Sequence, residues 1–319
     1  LYKINSLQTN TIYQYIDMAQ EHKAGFVNIV GNPNVGKSTL MNALVGERVS
    51  IITSKAQTTR HRIMGILNTP EYQIVFSDTP GVLSPKYKLQ ESMLDASEGA
   101  LTDADILLYV TDVVENPTKN AEFLAKVAKE TVPVLLVINK IDLVKEQSDL
   151  EAIVDRWQQM LPSAEIFPSA EIFPMSAKLH FNVDNLMKRI VELLPDSPPY
   201  FGKDALTDKP ARFFVTEIIR EKILLNYDKE VPYSTEVIVE KFDEKDASIH
   251  IMAVIYVERD SQKAIIIGRG GSRIKRVGIE ARKDIETFFD KRVYLEMFVK
   301  VEPNWRNRDN KLRAFGYIE

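Results

Sequence analysis

Short apolar runs alternate with segments of helical spacing through the first two thirds of the chain. Phe26-Val27-Asn28-Ile29-Val30, Ile74-Val75-Phe76, and the runs 105–110, 132–138 and 172–175 read as buried strands. Amphipathic helical patterns fill the gaps at 38–44, 121–129 and 183–194. Such alternation predicts an α/β fold, a mostly parallel sheet with helices on both faces. The strands lead into polar residues, Asp78, Asp112, Asn139 and Ser176, at the carboxyl ends where such sheets bind ligands.

After Pro195-Asp196-Ser197-Pro198-Pro199 the order changes. A helical pattern at 213–227 is followed by strand-like runs at 235–242 and 248–258. Then come a short apolar helix at 262–267, the tight loop Gly268-Arg269-Gly270-Gly271, a helix at 272–289 and a strand at 293–301. In the longer helix Ile274, Val277, Ala281, Ile285 and Phe288 share one face. The order α-β-β-α-α-β predicts a separate α+β module. The expected division is an N-terminal extension at 1–22, the α/β domain at 23–195, a semi-rigid proline-rich linker at 196–210 and the α+β domain at 211–319. Pro162-Ser163-Ala164-Glu165-Ile166-Phe167 is repeated at once as residues 168–173, so either copy could occupy the last strand of the first domain.

Composition narrows the chemistry. The chain has no cysteine, which excludes disulfides, cysteine-zinc sites and thiol catalysis and fits a reducing cytoplasm. No apolar run reaches the roughly 20 residues of a membrane span. His22, His61, His180 and His250 lack metal-ligand spacing and read as surface or packing residues. The net charge of −4 is unevenly spread. Residues 261–313 hold 14 basic and 7 acidic side chains, the footprint expected of a nucleic-acid face or of a solvated helix.

Residues 31–38 read Gly-Asn-Pro-Asn-Val-Gly-Lys-Ser, the GxxxxGKS phosphate loop between a strand and a helix. Backbone N–H groups of Asn32, Asn34, Val35, Gly36, Lys37, Ser38 and Thr39 are candidates to surround phosphates, with Lys37 reaching the β- and γ-phosphates and Ser38 ligating Mg2+. Asp78-Thr79-Pro80-Gly81 is DxxG: Asp78 for Mg2+ through water, the Gly81 N–H for the γ-phosphate. Asn139-Lys140-Ile141-Asp142 is NKxD. The Asp142 carboxylate only accepts, matching two donors on the guanine edge, and adenine would leave it unpaired. Lys140 would cover the base, Asn139 would tie the loop to the phosphate loop, and Ser176-Ala177-Lys178 would offer the Ala177 N–H to the guanine oxygen. Between the first two motifs, Thr59, with Thr58 as second choice, is the candidate switch ligand to Mg2+. GTP and GDP are the expected ligands. The residue after DxxG is Val82, which cannot orient a water as a glutamine does, so hydrolysis is expected to be slow or to use another device. Asn34 is the candidate ligand for a monovalent cation such as K+ in place of an arginine finger. The expected catalytic set is Lys37, Thr59, Gly81 and Asn34.

The second glycine loop, GxxG between two helices, is the backbone clamp of KH modules. Gly268, Gly270 and Gly271 would admit a nucleic-acid backbone closely. Lys263, Arg269, Arg273, Lys275 and Arg276 surround it, with no acidic residue between 261 and 279. Single-stranded RNA is the expected partner. Trp305, Arg306 and Arg308 read either as further stacking and phosphate contacts or as packing.

A GTPase domain followed by a type II KH domain resembles the Era GTPases of ribosome assembly, from about Met18 to the end. The more particular signatures are Lys55 through Arg62, Asp78 through Pro85 with Lys88-Leu89, Ile219-Arg220-Glu221-Lys222 and Val231-Pro232-Tyr233-Ser234. The resemblance implies binding of the 3′ end of small-subunit ribosomal RNA, weak GTP hydrolysis, a late role in small-subunit maturation, and a cytoplasmic monomer with peripheral membrane association. A hydrophobic residue at Val82 is usual in that family. Two readings compete with this one: a signalling or membrane-remodelling GTPase with a protein-binding C-terminal domain, and a plain RNA-binding protein with a scaffold nucleotide domain.

Overall fold

The computed structural model describes residues 22–160 and 171–318. Contacts divide them into two compact units. The first holds the described residues up to Arg48, then Arg62–Thr79 and Ser97–Asp208; the second holds Val49–His61, Pro80–Ala96 and the described residues from Lys209 on. Residues 1–21, and with them most of the expected extension, lie outside the described residues.

The first unit is built on six strands: β1 Lys23–Gly31, β2 Ile63–Asn68, β3 Tyr72–Asp78, β4 Ile106–Asp112, β5 Val134–Asn139 and β6 Glu171–Pro174, in the order β2-β3-β1-β4-β5-β6. All pairs are parallel except β2 with β3. Every residue of β4 and β5 is buried, so the sheet is covered on both faces. The helices are α1 Lys37–Val45, α2 Lys88–Thr102 (which starts in the second unit), α3 Ala121–Val127, α4 Gln147–Met160 and α5 Val183–Leu193. The sheet builds outward from β1 to one side and then to the other, which makes the carboxyl end of β1 a topological switch point.

Strand β2 and helix α2 were not predicted. The proline-rich stretch after α5 also binds the sheet: Gln73 Oε1 accepts from the N–H groups of Tyr200 and Phe201 at 2.7 and 2.9 Å, and Ile66 N–H donates to Leu206 O at 2.8 Å. Of the tandem repeat, the second copy occupies β6, where Glu171 pairs bidentately with Arg189 of α5. The first copy lies outside the described residues.

In the second unit the order is α6 Ala211–Asn226, β7 Glu236–Glu244, β8 Ser248–Val257, α7 Asp260–Ile267, α8 Ser272–Phe289, β9 Arg292–Val301 and a further short helix, α9 Asp309–Ala314. The sheet runs β7-β8-β9, antiparallel then parallel, so β9 is a free edge. This is the expected αββααβ module, with α9 added. Its core joins Val215, Ile219 and Ile223 of α6 to Val277, Ala281 and Ile285 of α8 over Ile251, Ala253 and Ile255 of β8. Phe288, expected on the same face, is 38% exposed.

Trp305 is fully buried with Leu89, Met93 and Leu312, and its indole N–H donates to Ser234 O at 3.0 Å. It therefore packs the module and is not a stacking platform. Arg306 pairs with Glu258 and lies over the Tyr87 ring, and Arg308 pairs with Glu302, so these cations serve the fold.

Candidate nucleotide site and nucleic-acid interface

The phosphate loop follows β1 and ends in α1. Its backbone geometry explains its glycines. Gly31 has φ 144° and a Cβ there would sit 2.1 Å from Val110 O; Gly36 has φ 99° and a Cβ would sit 2.2 Å from the Asn139 amide. Asn34, also at positive φ (66°), is exposed. The buried Lys37 ammonium donates to the carbonyls of Gly31 and Asn32 at 3.0 and 2.9 Å, which curls the loop around it. Burial pushes Lys37 down to about 8, against the opposing pull of Asp78 and Glu115. Ser38 Oγ donates to Asp78 Oδ2 at 2.7 Å, bringing the two expected Mg2+ oxygens of this unit together. Thr39 follows in the first turn of α1.

The base-side motifs converge through Asn139. Its amide donates to Val35 O at 2.9 Å and accepts from the Ala177 N–H at 3.0 Å. The expected tie to the phosphate loop is present, whereas the Ala177 N–H, assigned to the guanine oxygen from sequence, has Asn139 as its acceptor. Asp142 is exposed, and its Oδ1 accepts from Ser176 Oγ at 2.6 Å. Lys140 sits at φ 64°, and its ammonium reaches Asn34 O and Asp112 Oδ2, the latter at 2.7 Å. Lys178 is exposed.

Sequence reasoning missed two supports. Asp112, marked only as a strand-end residue, orients Lys140. Glu115 accepts from Thr111 and Asn32, and Asn32 accepts from Asn120; burial raises the Glu115 carboxyl. Glu115 has no motif around it that could have marked it.

Thr59, Gly81 and Val82 belong to the second unit. There the segment Val49–His61 is fastened by buried cations. The Arg60 guanidinium, fully buried, donates to the carbonyls of Thr235 (2.7 Å), Pro232 (3.3 Å) and Tyr233 (3.2 Å) and to Glu236 (3.2 Å). Arg220, held by Glu217 at 2.6 Å, donates to the carbonyls of Gln57 and Thr58. Lys55 reaches Tyr227 O and Asp228. His61 stacks on Tyr317 at 4.3 Å and meets Phe213 edge-on; burial lowers it to about 4, so it is a packing residue. Thr58 and Thr59 are both buried, and Thr58 Oγ1 donates to Lys55 O at 2.6 Å. Val82 is buried as well.

The second glycine loop has Gly268, Gly270 and Gly271 at φ 71°, 58° and 76°. A Cβ on Gly268 would press Arg273, whereas Gly270 and Gly271 face open space. The chain then enters α8 with Gly271 as N-cap and no side-chain cap, so its first N–H groups point outward. Arg269, Arg273, Lys275 and Arg276 are exposed and Lys263 is half-buried; Arg276 pairs with Glu280 at 3.0 Å. Beside the loop, a cleft of about 300 Å³ runs between α8 and β9, with Ile274, Gly278, Ile279, Leu295 and Met297 along it and Lys275 and Arg282 at its rim.

A phosphate loop, DxxG and NKxD at the carboxyl edge of a parallel sheet, followed by an αββααβ module with GxxG, define a P-loop GTPase carrying a KH domain. Residues 26–140 match the family described as 50S ribosome-binding GTPase, and residues 230–306 match the KH domain. The chain is 45% identical over 300 residues to GTPase Era of Geotalea daltonii, covering 93% of this chain and 99% of that one. It is 42% identical to GTPase Era of Staphylococcus haemolyticus, covering 94% and 98%. A crystal structure of Era with MgGDPNP and nucleotides 1506–1542 of 16S ribosomal RNA superposes with a TM-score of 0.88 at 40% identity, covering 93% of this chain and 100% of that one. An Aquifex aeolicus Era variant bound to GDP·AlF4− gives 0.87 at 40% identity, with the same coverage. The chain belongs to the Era GTPase family.

Proposed function

We propose that the chain binds GTP and Mg2+ in the first unit, hydrolyses GTP slowly, and clamps the 3′ end of small-subunit ribosomal RNA on the KH face during subunit maturation. The observation that carries this reading is the pairing, in one chain, of an Asn139-centred base site with an exposed GxxG loop on an acid-free basic segment. The Era structure solved with MgGDPNP and 16S RNA supports it. A cytoplasmic location, with peripheral membrane attachment, follows the family resemblance; no helix among the described residues is long and apolar enough to cross a membrane.

The donor set fits Mg2+, since Ser38 and Asp78 present oxygens 2.7 Å apart and Thr59 would add a third. When bound, the ion neutralises charge on the β- and γ-phosphates. Lys37 would pass from its two loop carbonyls to phosphate oxygens, Asp142 would accept from guanine, and the Gly81 N–H would meet the γ-phosphate. With the buried Val82 in the glutamine position, no side chain there orients water, which supports slow turnover. Asn34, exposed on the loop, is the proposed ligand of a K+ ion; equal turnover in Na+ and K+ buffers would refute that role. The segment with Thr58 and Thr59 is fastened to the KH unit by Arg60 and Arg220, so any nucleotide-dependent movement of it would act on the RNA-binding module.

Gly270→Asp with Gly271→Asp places two carboxylates where the RNA backbone would lie. Loss of ribosomal-RNA binding with GTP binding retained is expected. Intact RNA binding would favour a protein-binding C-terminal domain instead.

A further inference from the structure

The turn that follows β4 carries two carboxylates with different duties. Asp112, its first residue, pairs with Lys140 at 2.7 Å and so holds the lysine assigned to the guanine plane. Asp112 also closes the turn: its carbonyl accepts from the Glu115 N–H at 3.2 Å and its Oδ1 from the Val114 N–H at 3.1 Å. The Glu115 carboxylate instead meets the phosphate loop. Its Oε1 accepts from the Asn32 amide and its Oε2 from Thr111 Oγ1 at 2.8 Å. Asn32 Oδ1 in turn accepts from the Asn120 amide. Asn32 is buried, and its carbonyl is one of the two that hold the Lys37 ammonium, at 2.9 Å. A chain of hydrogen bonds thus runs within the first unit from β4, through Glu115 and Asn32, to the ammonium assigned to the β- and γ-phosphates.

Nothing in the turn itself requires a carboxylate at 115. Closure uses only the backbone of that residue, and the neighbouring Val114 is 78% exposed, so no packing of Val114 draws the turn inward. The half-buried Glu115 carboxyl gives up part of its hydration, and burial raises it accordingly. In place of water it has two side-chain bonds, and the one to Asn32 fixes the loop between Gly31, at φ 144°, and Pro33.

We propose that Glu115 is a positioning residue for the γ-phosphate: by fixing Asn32 it fixes a carbonyl that aims Lys37, and it thereby sets the preference of the site for GTP over GDP. The proposal rests on the GTP-binding reading above. GDP would keep the guanine contact of Asp142 and the loop N–H groups around its β-phosphate, so the loss of Glu115 falls mainly on GTP. A second route from Glu115 to Lys37 runs through charge, since the carboxylate favours the ammonium. Glu115→Gln separates the two routes: its amide oxygen still accepts from Asn32 but the side chain carries no charge.

Calorimetry of the full chain with GDP and with GDPNP reads the ratio of the two affinities. It compares the wild type with Glu115→Ala, Glu115→Gln, Asn32→Ala and the Asn32→Ala, Glu115→Ala double variant, with folding confirmed by circular dichroism. Glu115→Ala is expected to weaken GDPNP about tenfold, the scale of one hydrogen bond to a charged group, and GDP by no more than about twofold. Glu115→Gln should keep the wild-type ratio. On the Asn32→Ala background, Glu115→Ala should change the ratio no further, because both act through one bond. Equal losses for the two nucleotides, additive effects of the two substitutions, or a Gln variant as impaired as the Ala variant would overturn the positioning role and leave the nucleotide site intact. A wild type that binds neither nucleotide would overturn the GTP-binding reading itself. Should Glu115→Ala not fold, Asn120→Ala carries the test, since it removes the other side-chain bond to Asn32 at a half-buried position. It must show the same selective loss of GDPNP, and an unchanged ratio would overturn the proposal.

Discussion

Raising the pH should weaken nucleotide binding through one residue, Lys37. Its ammonium is buried against two carbonyls, and burial lowers it to about 8. A β,γ-phosphate placed on it favours the charged form, so the bound state keeps its proton to higher pH than the free state. Binding therefore takes up a proton above pH 8, and affinity falls as pH rises through that value. At pH 7 the free protein is about nine-tenths protonated, and at pH 9 about one-tenth, so affinity should drop about tenfold, or 1.4 kcal/mol. The nucleotide's own phosphate titrates near pH 6 and does not confound the window. Calorimetry at pH 8.5 in buffers of differing ionisation enthalpy reads the proton uptake directly. Lys37→Ala should bind weakly at all pH values and lose the slope. A wild-type affinity flat from pH 7 to 9, or the same slope in Lys37→Ala, would refute this reasoning.

Asn139→Ala removes two buried hydrogen bonds that join the phosphate loop to the Ala177 turn, and should cost roughly 2–3 kcal/mol of GTP and GDP affinity alike by calorimetry. Arg60→Ala leaves Glu236 buried without its cation, and thermal unfolding of the KH unit should lose about 3–5 kcal/mol; a near-neutral result would show that the fastening is not energetic. Trp305→Ala empties a fully buried site, so stability should fall by about 3–5 kcal/mol, while RNA affinity of the folded fraction at low temperature stays the same.

Local pattern was enough wherever the determinants were local. The α-β-β-α-α-β order, the strand-end positions of Asp78, Asn139 and Ser176, and the buried Val277, Ala281 and Ile285 of α8 follow from periodicity and motif, whereas Phe288 at the end of that face is exposed. What escaped depends on partners distant in sequence. Arg60 sits in a polar run, and its meaning comes from carbonyls 172 to 175 residues away. The family signatures around Lys55–Arg62, Arg220 and Pro232-Tyr233 could be quoted from sequence, but only the fold shows that they bind one another. The apolar β2, an antiparallel edge strand, carries little alternation to mark it. Two identical hexapeptides offer the same local signal for β6, and the copy observed there is the one whose Glu171 meets Arg189.

The central claim is that one chain couples a guanine-nucleotide site to an RNA clamp. Crosslinking the full chain to small-subunit ribosomal RNA with GTP, with GDP and without nucleotide tests it most directly. The account predicts crosslinks from residues 268–276 to the 3′ end of that RNA, with a yield that changes with the nucleotide. Crosslinks elsewhere on the RNA, or the same yield in all three conditions, would contradict it.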